Sequence, residues 1–192
     1  MAVDRARAER AIRELLLAFG RDPDADPDLL GTPTRVVEAY EADLLSGYAV
    51  DVAALLADGP AVAESKVSGF VALSGIAVST VCPHHLLLSN GVATVAYRPG
   101  ARLFGLGTLA ALVNAYARRL SLQESIGENV VQALCEHGGA RAAYCELRLV
   151  HGCLVARGSR QVGAELVTTA RRGSIDAAEL SLALWRPLEA AR

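Results

Sequence analysis

Residues 69–97 read GFVALSGIAVSTVCPHHLLLSNGVATVAY. Two runs rich in Val, Ile, Thr and Ala, Gly69 to Thr80 and Gly91 to Tyr97, flank a connection from Cys82 to Asn90 that carries a proline and two adjacent histidines. β-Branched residues suit a pleated, half-buried surface, so the two runs read as neighbouring strands of a hairpin-like pair.

Upstream, Ala8, Ala11, Ile12, Leu15, Leu16 and Phe19 recur at helical spacing over residues 4–19, and Gly20 with the Asp/Pro-rich stretch through Asp28 ends that helix. Thr32 followed by Pro33 is a helix-start signature, with Thr as the cap, and predicts a second helix over Thr34 to Leu45 closed by Gly47. A small-residue linker follows. Downstream, Leu109, Leu112, Val113 and Tyr116, then Ile126, Val130, Val131 and Leu134, predict two helices joined by a short turn near Ser121. Ala142 to Leu154 returns to period two and puts Cys145, Leu147, Leu149, His151 and Cys153 on one face of a long strand. Val162 to Thr169 reads as a further strand, and Ser174 to Trp185 fits either helix or strand.

The chain has 192 residues, 52% apolar and 21% charged, which suits one globular unit with its own core and argues against extended disorder. A net charge of −2 gives no field to gather nucleic acid or an anionic membrane, so neither is an expected partner, and a polyanion would need a local Arg or Lys cluster. Met1 to Arg13 lacks the apolar region of a secretory signal, and no apolar run approaches the roughly 20 residues of a membrane helix. The expected location is cytoplasmic. Four cysteines in a reducing compartment point to metal binding or burial rather than disulfides.

Cys82-Pro83-His84-His85 places potential metal ligands three residues apart in a turn, a weak signal alone. His151-Gly152-Cys153 supplies a second pair about 6 to 7 Å apart along a strand, and three of the four histidines lie in these two segments. Cys135 and Cys145 read as buried filler; eight residues of extended strand, about 26 Å, separate Cys145 from Cys153. A structural zinc closes four protein ligands, whereas a catalytic one keeps three and leaves a water position. Two cysteines and a histidine with further histidines beside them match the catalytic pattern.

These residues resemble the GTP cyclohydrolase I family over most of the chain. Thr32 to Tyr40 is similar to its early helix motif and Ser79 to Tyr97 to its Cys-Glu-His-His motif with the following strand. Gly105-Leu106-Gly107 resembles its Gly-Leu-Ser turn, Leu122-Gln123-Glu124 its Gln-Glu motif, and Cys153 to Gly158 its Cys-x-x-x-Arg-Gly motif.

The resemblance implies an α+β tunnelling fold, an antiparallel four-stranded sheet with helices on one face, after an N-terminal helical segment. Residues 1–48 would be that segment and 62–192 the catalytic unit, assembled as a homo-oligomer, commonly a decamer. It also implies zinc on Cys82, His85 and Cys153, proton transfer by His84 and His151, and substrate contacts from Gln123, Glu124, Arg35 and Arg157. The implied reaction opens the guanine imidazole ring of GTP at C8, releases formate and yields 7,8-dihydroneopterin triphosphate for folate and pterin supply. Ser121-Leu122-Gln123-Glu124 also has the form of a capping box, an alternative use for Glu124.

The chain departs from the pattern at its phosphate and ribose contacts. The Lys and Arg expected after the Gly-Leu-Ser turn are Thr108 and Ala111, a helix Lys of some bacterial members is Glu38, the Ser of the turn is Gly107, and Pro83 stands for Glu. Fewer cations for about four negative charges weaken the case for a triphosphate, since charge-assisted hydrogen bonds contribute about 1.5 to 3 kcal/mol each. A guanine nucleotide with fewer phosphates, or a reaction ending at a pyrimidine, is the alternative, and a non-catalytic zinc-stapled oligomer a further one.

Overall fold

The computed structural model describes residues 3–63 and 67–183. Helix α1 (Arg5–Ala18) and helix α2 (Thr32–Ala39) lead into a π-helical turn at Tyr40–Leu44, a 3-10 turn at Ser46–Ala49 and helix α3 (Val52–Asp58). Strands β1 (Ala61–Ala63), β2 (Val71–Val81), β3 (Leu88–Arg98) and β4 (Arg102–Phe104) follow. Then come α4 (Leu106–Ala117), α5 (Gln123–Glu136), β5 (Ala142–His151), the short α6 (Gly152–Val155), β6 (Leu166–Gly173) and α7 (Ala177–Ala183).

The main sheet runs β2-β3-β5-β6 with every neighbouring pair antiparallel, and β1 pairs with β4 as a separate ribbon. Period-two alternation turns Ala143, Cys145, Leu147 and Leu149 of β5 inward with Ala93, Val95 and Tyr97 of β3 and Ile76 and Val78 of β2. Leu109, Leu112 and Val113 of α4 and Ile126, Val130, Val131 and Leu134 of α5 pack against that face. Each fully buried Leu or Ile here contributes about 1.5 to 3 kcal/mol. The expected architecture, an α+β chain with a four-stranded antiparallel sheet and helices on one face, is what the structure has.

Several boundaries differ from expectation. Gly31, left-handed at φ 74°, stands at the cap of α2, and Thr32 is already helical with its hydroxyl accepting from Arg35 instead of capping. Pro33 is still tolerated, because the first-turn N–H groups have no intrahelical partner. The stretch taken as a linker holds α3: Asp51 accepts from the Ala54 N–H, and Leu56 is fully buried in the core. The last strand is shifted to Leu166–Gly173, since its register on β5 runs from Leu149 opposite Leu166 to Ala142 opposite Gly173. Of the ambiguous Ser174 to Trp185, Ala177–Ala183 is helical, and Trp185 lies outside the described residues.

Cys145 is filler, as expected: fully buried, its thiol is pushed up to about 12 by burial and then by Glu146. Burial, then Glu146, likewise pushes Tyr144 up to about 12, and burial raises Tyr97, Tyr116 and Cys135. The folded chain keeps the Cys145 proton where the unfolded chain has lost it, so its stabilisation is whole below the ordinary thiol value of 9.0 and lost as pH rises toward about 12. Urea midpoints should therefore fall from about pH 9 upward, less steeply in Cys145→Ala. Equal slopes in the two proteins would show that Cys145 contributes nothing to the fall.

Candidate metal centre

At the end of β2 the chain turns tightly back into β3. The Cys82 N–H donates to Leu87 O and the Leu86 N–H to Cys82 O, both at 2.9 Å. Leu86 takes a left-handed φ of 54°, which a side-chain-bearing residue holds only when its surroundings impose it. One such tie is visible: Tyr40, in the π-helical turn, donates its hydroxyl to Leu86 O at 3.1 Å. The N-terminal segment is thereby tied to the turn that carries Cys82, His84 and His85.

The second half of the site arrives on β5. Ser89 of β3 faces His151 of β5 in the ladder, so the end of β5 lies beside the start of β3. The strand stops at His151, earlier than its apolar period suggests, and Gly152–Val155 forms a helical turn. Cys153 therefore leaves the strand face on which sequence spacing placed it. Gly152 permits the change of direction: a Cβ there would stand 2.6 Å from Leu88 O, inside any real contact distance.

Cys82 Sγ, a His85 ring nitrogen and Cys153 Sγ all lie within 4.8 Å of one another, a group that could hold a metal ion. Cys82 is buried, Cys153 partly buried and His85 exposed, so the cluster is backed by protein and open on the histidine side. His85 Nδ1 is 3.9 Å from Cys82 Sγ, while Arg157 donates to His85 Nε2 at 2.9 Å. Burial, and then the adjacent Cys82 sulfur, raise the Cys153 thiol. Two adjacent sulfurs with an imidazole beside them form a donor set that a soft-tolerant divalent cation stabilises.

Around the cluster the other expected residues divide. His151 is partly buried, and burial lowers its imidazole below the ordinary value while Glu124 offsets part of that shift. Its Nε2 meets Gln123 Oε1 at 2.8 Å and its Nδ1 meets Ser89 Oγ at 3.0 Å. The Gln123 side chain, expected at the substrate, is only 1% exposed and is used up within the fold. Glu124 is exposed at the start of α5, whose cap residue Leu122 makes no side-chain capping bond, so the capping-box alternative fails. Ser121 spends its hydroxyl on Tyr116 O instead. His84 is exposed, its ring centroid 6.3 Å from that of His85. Sequence reading missed Ser89, Tyr40 and Gly152, whose parts depend on ladder register and close approach and leave no local motif.

The sequence profile of the family described as GTP cyclohydrolase I matches residues 8–183. The chain belongs to the GTP cyclohydrolase I family. GTP cyclohydrolase 1 of Leifsonia xyli subsp. xyli is 42% identical over 170 residues, covering 88% of this chain and 87% of that protein. GTP cyclohydrolase 1 of Mycobacterium ulcerans is 38% identical over 187 residues, covering 95% and 90%. Among solved structures, the apo form of the archaeosine synthase QueF-Like aligns with 58% of this chain and all of that one, at 16% identity and a TM-score of 0.46.

The departures from the GTP cyclohydrolase I pattern now have surroundings. Thr108 is buried, with its hydroxyl on Pro60 O, so a long cation at that position would have to displace the turn ahead of β1. Gly107 is different, since an added Cβ would meet nothing within 4 Å and packing does not exclude a side chain. Arg35 donates to Leu30 O and Thr32 Oγ1, within its own segment. Arg119 donates to Ala115 O and Arg172 to Glu136.

Gly152→Ala should displace Cys153 from the cluster while sparing the buried core. Competitive zinc titration is expected to show affinity lowered on the order of 10- to 100-fold, with little change in urea midpoint of the metal-free chain. Unchanged affinity would mean that the Gly152 contact does not place Cys153.

Proposed function

We propose that this chain is a zinc hydrolase that opens the guanine imidazole ring at C8 and releases formate, converting GTP to 7,8-dihydroneopterin triphosphate. The observation that carries the reading is the convergence of Cys82, His85 and Cys153 within 4.8 Å beside His84, together with membership of the GTP cyclohydrolase I family. Three protein ligands suit a catalytic zinc, which when bound supplies a water acidic enough to attack near neutral pH.

The chain's own residues do the rest. Glu124, exposed and free of capping, accepts from the N–H donors on the guanine edge. His84, in contact with solvent, exchanges protons as the ring opens, and His151 holds its imidazole on the buried side of the site. Arg157, already at His85, contributes positive charge for the phosphates, and Arg35 does so once it leaves its local acceptors. Assembly into a cytoplasmic homo-oligomer, a decamer, is part of the proposal. It is supported by apolar side chains that one copy leaves exposed, among them Phe19, Leu15, Val62, Leu106 and Val167. No described helix is long and apolar enough to cross a membrane.

A second reading keeps the ring-opening chemistry and changes the substrate to a guanine nucleotide with fewer phosphates. It is favoured by the buried Thr108 and the self-satisfied Arg35, which leave few cations free.

Zinc-loaded protein incubated with GTP, GDP, GMP and guanosine, with formate and pterin fluorescence followed together, separates the two. The first reading expects formate and fluorescence from GTP at the lowest concentration; formate favoured by GMP, or formate without fluorescence, supports the second. His84→Ala and His151→Ala should each lower turnover on the order of 10² to 10⁴-fold with zinc content unchanged. Undiminished rates in both would remove the histidines from the mechanism.

A further inference from the structure

We propose that Gln123 is a positioning residue that locks His151 in one tautomer, the form with its proton on Nε2. The amide is oriented by its own partners. Gln123 Nε2 donates to Leu147 O and to Leu166 O, each at 3.0 Å. Both are main-chain carbonyls, which only accept, so the –NH2 end must face them and the amide cannot be turned over without setting oxygen against oxygen.

That leaves Oε1 pointing at His151 Nε2, 2.8 Å away. A carbonyl oxygen accepts, so Nε2 carries the hydrogen. In the neutral ring Nδ1 is then a lone pair, and the Ser89 hydroxyl 3.0 Å away donates to it. Ser89 can do this because it stands opposite His151 in the β3–β5 ladder. Gln123 and Ser89 are each 1% exposed, so neither partner is readily replaced by solvent.

The chain of constraints therefore runs from two carbonyls on β5 and β6, through one amide at the start of α5, to the ring. A hydroxyl can donate or accept and so follows the ring; an amide held on two carbonyls cannot follow, and so dictates to it. Gln123 is the member that decides and Ser89 the member that adapts. The inference rests on the reading of His151 as a residue that moves protons: a fixed tautomer decides which ring atom is basic and holds the ring plane between catalytic events.

The test uses full-length, zinc-loaded protein with 15N-labelled histidine and solid-state 15N NMR, the His151 signals being assigned by their loss in His151→Asn. Wild type should show a protonated Nε2 and an unprotonated Nδ1 for His151. Gln123→Met, close in shape and unable to accept as an amide does, should give mixed or reversed tautomers. Its kcat for GTP should fall on the order of 10²-fold, with KM changed by less than about 3-fold and zinc retained.

Ser89→Ala, the second variant, should keep the Nε2–H signature, since the amide sets it. Should Gln123→Met fail to fold, wild type and Ser89→Ala still decide the matter: a protonated Nδ1 in wild type, or a tautomer lost in Ser89→Ala, overturns the proposal. An unchanged tautomer in folded Gln123→Met overturns it as well. Absence of formate release from wild type would instead count against the proposed reaction, and the spectra would still read the tautomer.

Discussion

The pairing of β3 with β5 is the interaction on which the rest of the structure depends. Their ladder runs without interruption from Arg98 opposite Ala142 to Ser89 opposite His151. Because side chains alternate with period two, a slip of one residue would turn Cys145, Leu147 and Leu149 out of the core and His151 away from Ser89 together. Core formation and site formation therefore select the same register. Gly91 tightens that choice, since a Cβ there would stand 2.0 Å from Arg148 O. The close approach of the two strands is open to glycine alone.

Both halves of the candidate metal cluster hang from one end of this ladder, where Ser89 faces His151. The turn with Cys82 and His85 precedes β3, and Cys153 follows β5, so segments some 70 residues apart in sequence meet within 4.8 Å. Each attachment carries a further restraint. Tyr40 holds the turn through Leu86 O, and the absence of a side chain at Gly152 lets α6 press against Leu88 O. Buried polar groups near the site are satisfied in the same spirit. Gln123, Ser89 and His151 close a network in which every side-chain group named has a partner, and an unpaired amide at 1% exposure would cost about 1 to 3 kcal/mol.

The contrast between cluster and phosphate side is physical as well. The candidate metal cluster stands on a tight turn and a close strand approach, whereas the cations expected around a triphosphate are absent, self-satisfied or, for Arg157, engaged with His85.

What the sequence by itself determined was the periodicity and the chemistry. β-Branched composition named the strands β2 and β3, alternation named β5, helical spacing named α1, α4 and α5, and the residue types of two short segments named the candidate metal ligands. These are local properties, written within a few residues of one another. What only the tertiary structure decided was everything set by contact. The burial of α3 through Leu56, the end of β5 at His151, the place of Ser89 and the inward use of Gln123 all depend on what lies opposite. Gln123 shows the reason most clearly. An amide beside a glutamate reads as a pair of polar contacts for a ligand, and only two carbonyls on β5 and β6 and one imidazole nitrogen turn it inward.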